Sequence, residues 1–127
     1  MSKNNKYIKC FVYLATYAEE RYVKEKEDKQ LKYLYEYANA HNLKICKVFR
    51  RGIAGQYETN RQYNNLVHRI QSGEAESLLI ANMGAISHNI EDAYLKVGKM
   101  IAAGGQIFSV DEGHLDLELV KLGGLSE

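Results

Sequence analysis

The chain has no proline and no tryptophan, only two cysteines, no strong charge of either sign and no long hydrophobic run. Each absence excludes something. Two cysteines at Cys10 and Cys46, both inside apolar runs, make neither a disulfide framework nor a metal-ligand spacing. They read as reduced, buried thiols of a cytoplasmic protein, and no metal or other cofactor is implied. A formal net charge of +1 supplies no polycation for nucleic acid and no bias toward a membrane surface. No apolar run approaches the length needed to cross a bilayer. Met1-Ser-Lys-Asn-Asn-Lys is polar and lacks the hydrophobic stretch of a secretory leader. The ten tyrosines, set against no tryptophan, name no function.

What is present is a single domain's worth of sequence. At 127 residues with 46% hydrophobic content, the chain can bury a core without staples. Residues 1–6 read as a flexible N-terminus, 7–113 as one α/β domain and 114–127 as a short tail. Tyr7 to Leu14 is a nearly continuous apolar run, as buried parallel strands are. Asp28 is placed to cap a helix with the stripe Leu31, Leu34, Tyr35 and Ala38, closed by Asn42. Leu43 to Phe49 forms a second strand, and Arg50 to Asn60 a loop. A second helix, capped by Thr59 or Asn60, carries Tyr63, Leu66, Val67 and Ile70, with Gly73 past its end. Ser77 to Asn82 is a third strand and Met83 to His88 a short loop. The third helix starts near Asn89, shows Ile90, Ala93, Tyr94, Val97 and Ile101, and stops at Gly104-Gly105. Gln106 to Val110 is a fourth strand, and the tail from Asp111 is ambiguous. This alternation predicts a mostly parallel sheet of four to five strands with helices on both faces.

In such sheets ligands and chemistry gather where strands hand over to loops at their carboxyl ends. The first of those points is Phe11-Val12-Tyr13-Leu14-Ala15-Thr16, which holds no Ser, Cys, Asp, Glu, His or Arg. The other segments are Arg50 to Gly55, Met83 to His88 and Ser109 to Glu112. Their order and spacing resemble the catalytic domain of the serine recombinases, the resolvase and invertase family of site-specific DNA recombinases. The family's strand ending Tyr-x-Arg-Val-Ser-Thr is matched by Phe11 to Thr16. Its Gln, Leu and Tyr-Ala of the first helix are matched by Gln30, Leu34, Tyr37 and Ala38. Asp-x-Gly-x-Ser-Gly aligns with Arg50-Arg51-Gly52-Ile53-Ala54-Gly55. The Arg leading into the second helix is Arg61, with Gln62 where Pro is often found. Leu-Asp-Arg-Leu-x-Arg-Asn/Asp falls on Met83 to Asn89, and the closing strand on Gly104 to Glu112. Together these blocks span roughly residues 7 to 113.

The resemblance implies a resolvase-like fold, and its departures imply lost chemistry. In the family a Ser hydroxyl attacks a DNA phosphate, forming a phosphoserine link while Arg side chains steady the charge. Here the Ser position is Ala15. The Arg positions are Tyr13, Ala85 and His88, and the acidic position is Arg50. Gln30 and Arg61 are retained. Losing a single ligand of this kind costs about 2–4 kcal/mol of transition-state stabilisation, so losing several with the nucleophile leaves no strand transfer. A substitute nucleophile at Thr16 is disfavoured, because the next residue of a strand faces the other way. Attack by Tyr13 would need an Arg cluster that is missing. Arg50, Arg51 and Arg61 remain candidates for holding a phosphate, against the plainer reading of a solvated loop. His41, His68 and His114 lack ligand spacing and read as exposed.

Residues 113–127 offer no long amphipathic helix and no basic recognition helix, so tight independent DNA binding is not expected. The leading expectation is a stand-alone, catalytically inactive relative that acts through protein contacts, with itself or with an intact recombinase. A residual DNA- or phosphate-binding module is the alternative, and an active recombinase is the least favoured.

Overall fold

The computed structural model describes residues 7–16, 19–52, 56–87 and 89–115. The segment 1–6, the tail beyond 115, His88 and the Ile53-Ala54-Gly55 part of the second loop lie outside these residues.

Five strands form one sheet in the order β2-β1-β3-β4-β5. Strand β1 (Ile8–Leu14) pairs in parallel with β2 (Leu43–Arg50) on one side and β3 (Ser77–Ile80) on the other, and β4 (Gln106–Ser109) continues the parallel set. Strand β5 (Gly113–Leu115) folds back antiparallel on β4. The sheet therefore takes in residues 114 and 115 of the expected tail, a stretch the sequence left ambiguous. Gly113 has φ +87, a conformation that glycine adopts without the usual steric cost.

Three helices cover the sheet, one on one face and two on the other. Because strand side chains alternate, Cys10, Val12 and Leu14 of β1 pack with Leu34 and Ala38 of α1 (Val23–Ala40). Phe11, Tyr13 and Ala15 point the opposite way, into a cluster with Tyr63, Leu66, Val67 and Ile70 of α2 (Gln56–Gln71). Ala93, Val97 and Met100 of α3 (Ile90–Ala102) complete that cluster. Fully burying a large apolar side chain stabilises by about 1.5–3 kcal/mol, so the doubly covered β1 is the main anchor of the fold. No helix among the described residues is long and apolar enough to cross a membrane.

Several local expectations are corrected. Helix α1 begins at Val23, so Asp28 lies inside it and caps nothing. Its inward positions near the start are Val23, Glu27 and Gln30, and two polar residues there hide the apolar stripe. Tyr35 is exposed, and the half-buried neighbour of Ala38 is Tyr37. Helix α2 begins at Gln56 rather than after Thr59 or Asn60, and Thr59 is buried. Ile90 is exposed. Cys10 is buried as expected, but Cys46 is exposed. Cys10 pairs with Ile45 and Phe11 with Lys47, which leaves Cys46 as the extra residue of a β-bulge. Asn42 closes α1 with φ 59, and Asn89 caps α3 by accepting a hydrogen bond from the Asp92 N–H at 3.0 Å.

Candidate functional site at the carboxyl edge of the sheet

Strand β1 lies inside the sheet, between β2 and β3, so the residues following it are walled by α1, the end of β2 and the turn after β3. Ala15 is 5% exposed. Its N–H donates to Gln30 Oε1 at 2.9 Å, and Gln30 Nε2 donates to its carbonyl at 3.2 Å. One side-chain amide thus takes the place of a strand partner and satisfies both backbone groups, as burial requires. The following carbonyl, of Thr16, accepts from Arg51 Nη2. The Thr16 hydroxyl is enclosed and has no hydrogen-bond partner among the described residues.

Tyr13 is fully buried, and its hydroxyl donates to Gln62 Oε1 at 2.5 Å. This contact joins two departures from the recombinase pattern, the Tyr in an Arg position and the Gln where Pro is common. The space between β1 and α2 is closed by a neutral hydrogen bond where a guanidinium is the family's expectation.

Arg50 turns to α1. Its Nη2 donates to Asp28 Oδ1 at 2.8 Å and its Nη1 lies 3.5 Å from Glu27 Oε1. Glu27 is buried, and its Oε2 accepts from the Gly52 N–H at 2.9 Å. The Arg50 guanidinium, with Lys24 second, holds the Asp28 carboxyl below the usual carboxylate value. Arg61 lies elsewhere, exposed, with Nη1 2.9 Å from Glu58 Oε1 one helical turn away. The three arginines therefore engage three separate sets of partners: α1 carboxylates, the Thr16 carbonyl and a carboxylate of α2. These contacts do not join the three into one cradle among the described residues.

After β3, Met83–Ala85 makes a single 3-10 turn, and Ala85, Ile86 and Ser87 are buried. Ala85 contributes a methyl group to the core where the pattern calls for a cation. A buried lysine, absent from the sequence expectations, closes this corner. Lys96 Nζ donates to Ile86 O at 2.8 Å, to Asn60 Oδ1 at 2.5 Å and to Asp92 Oδ2 at 2.9 Å. All three ammonium protons have acceptors, which is how a buried charge is tolerated. Bonds from Lys96 first, and from Ser87 second, lower the Asp92 pKa. The spacing of Asp92 to Lys96, one turn apart beside the core positions Ala93 and Val97, was the available signal. Beyond β4, Glu112 Oε1 accepts from the Met83 N–H at 3.2 Å and from the Ser109 hydroxyl. Ser109 and Glu112 thus brace the turn after β3.

Most polar groups at this edge are paired with one another, the Thr16 hydroxyl and the Arg51 Nε being the buried exceptions among the described residues. Among the described residues no three His, Cys, Asp or Glu side chains gather as a metal site. His41, His68 and His114 are exposed.

The fold is similar to that of solved serine recombinase catalytic domains. The chain matches a resolvase family site-specific recombinase from Streptococcus pneumoniae with a TM-score of 0.74 and 17% identity, over 94% of this chain and 85% of that one. It matches the N-terminal catalytic domain of TP901-1 integrase at a TM-score of 0.70 and 17% identity, over 93% of each chain. The C-terminal catalytic domain of ISC1926 TnpA, an IS607-like serine recombinase, matches at a TM-score of 0.67 and 19% identity, over 93% of this chain and 78% of that one. No family sequence model and no curated protein matches the chain. At such identities the likeness is one of fold, and it is the fold that the ordered motifs implied.

Proposed function

We propose that this chain is a cytoplasmic, degenerate member of the serine recombinase family, associated with DNA recombination through protein contacts and not through strand transfer of its own. The observation that carries this reading is the closed neighbourhood of Ala15. The residue in the nucleophile position has no hydroxyl, is buried, and has both backbone groups tied to Gln30. The adjoining Tyr13 hydroxyl is spent on Gln62. A reacting phosphate needs an attacking oxygen and converging cations within about 3 Å of one point. Arg50, Arg51 and Arg61 are each held by neighbours of their own, which also weakens the alternative of a phosphate-binding module. The partner in this reading is another copy or an intact serine recombinase, and DNA contact is weak.

The test is to incubate the protein with supercoiled DNA under recombinase conditions and trap covalent adducts by denaturation. None is expected, and Ala15→Ser alone is expected to remain inactive, because it supplies an oxygen without a cationic pocket. A trapped adduct with the unaltered protein would overturn the proposal. A salt-dependent gel shift abolished by replacing Arg50, Arg51 and Arg61 would favour the binding module instead.

A further inference from the structure

The outward face of α3 carries a charge pattern that is complementary to itself. At about 100° per residue, Glu91 and Lys99 flank Leu95 by about 40° on either side, one turn before it and one turn after. Leu95 is 73% exposed, and Glu91, Lys99 and Ala102 are exposed as well. Gly98 lies on the same arc, and a methyl group added there would meet nothing within 4 Å. Of the remaining charges of the helix, Lys96 is buried, and Asp92, about 60° from Leu95 and partly exposed, is already paired with it. Glu91 forms no ion pair among the described residues. Lys99 Nζ donates to Asn64 Oδ1 at 2.8 Å, which leaves two of its three protons for other acceptors. A single exposed leucine is ordinary. An exposed leucine midway between one acid and one base, beside Gly98, Ala102 and an Asp92 already held by Lys96, is a more specific arrangement.

We propose that this face docks on the same face of a second copy of the chain, the two α3 helices running antiparallel about a two-fold axis at Leu95. A two-fold contact requires that residue i meet residue j and j meet i. Centred on Leu95, that operation sets Glu91 against Lys99 of the partner copy and Lys99 against the partner copy's Glu91. Gly98 and Ala102 let the backbones approach closely, and the leucines pack on the axis. The ion pairs fix register and orientation more than they add strength, because exposed pairs contribute little individually. Contact through one helix is at the small end of specific interfaces, so the association is weak and salt-sensitive. This inference rests on the reading that the chain works through protein contacts.

Sedimentation equilibrium of the full chain over micromolar to millimolar concentrations tests it. The unaltered protein is expected to show a monomer–dimer equilibrium weakened by added salt. Glu91→Lys alone and Lys99→Glu alone each place like charges together, and each is expected to raise the dissociation constant at least about tenfold. Mixed one to one, the two variants pair every charge again and should associate within about threefold of the unaltered protein. Leu95→Asp should abolish association. All these positions are exposed, and unchanged circular dichroism and melting would establish that folding is intact. A monomer at every concentration, single variants that associate normally, or a mixture that does not recover would each overturn the interface. Charges placed only to suit the ends of an isolated helix would give the second of those results. A monomeric protein that also yields no DNA adduct would defeat this interface and leave the inactive-domain reading standing, whereas a trapped adduct would defeat that reading independently.

Discussion

Gln30 reaches Ala15 with both ends of its amide, and replacing it leaves two backbone groups without partners in a confined space. Each buried polar group left unsatisfied costs about 1–3 kcal/mol. Gln30→Ala is therefore expected to lower unfolding free energy by about 2 kcal/mol, read as a lower urea midpoint at unchanged slope. A midpoint equal to that of the unaltered chain would show that water takes over both bonds. The two thiols differ just as sharply. Burial, with the charge of Cys46 second, pushes the Cys10 pKa up to about 12. At pH 8 about one Cys10 in ten thousand is then a thiolate, so iodoacetamide should label Cys46 in the folded protein and Cys10 only after unfolding. Equal labelling of both in native buffer would contradict the burial. Much at this scale lay beyond the sequence. That Arg50 finds Glu27 and Asp28, or Tyr13 finds Gln62, depends on elements 22 to 49 residues apart meeting in space. That Ala15 carries no hydroxyl could be read from the sequence alone, because an absent oxygen needs no neighbour to interpret it.

Elements were legible where one kind of side chain repeats with one period. Strand β1 and the stripe of α2 are of this kind. Helix α1 was misjudged at its start because its inward Glu27 and Gln30 serve backbone groups at the sheet edge and so break the apolar rhythm. The bulge at Cys46 was hidden because one inserted residue leaves composition unchanged. Lys96 was missed for the converse reason: a lysine on the inner arc reads as a surface residue until its three acceptors are seen. Where α3 hands over to β4 the packing leaves no slack. A Cβ on Gly105 would lie 2.7 Å from Ile70 Cγ2 and 2.8 Å from Met100 Sδ. Overpacking of this kind costs about 1–3 kcal/mol, so Gly105→Ala should lower the melting temperature by several degrees. An unchanged melting temperature would mean that the Met100 side chain swings aside freely.

For the molecule as a whole, acid stability follows from carboxylates whose pKa falls on folding. Asp92 is lowered first by Lys96, and Asp28 first by Arg50. A group whose pKa drops on folding adds stability above its unfolded value and loses it as pH falls through the folded one. Stability should therefore decline below about pH 4, and Asp92→Asn, which cannot titrate, should show a shallower decline from a lower plateau. Parallel acid limbs for the two proteins would mean that the Lys96 contact adds nothing to the folded state.

The displaced residue at Cys46 has a consequence for crowding. Strand β2 is the outermost strand on its side of the sheet, and a straight strand there would be a template on which further chains could add. Its ladder is broken in the middle, and Lys44 and Lys47 stand exposed on either side of the break. An incoming backbone would lose register at the kink and meet ammonium groups before and after it. Concentrated solutions of this protein should accordingly remain free of fibrils and sheet-to-sheet polymers.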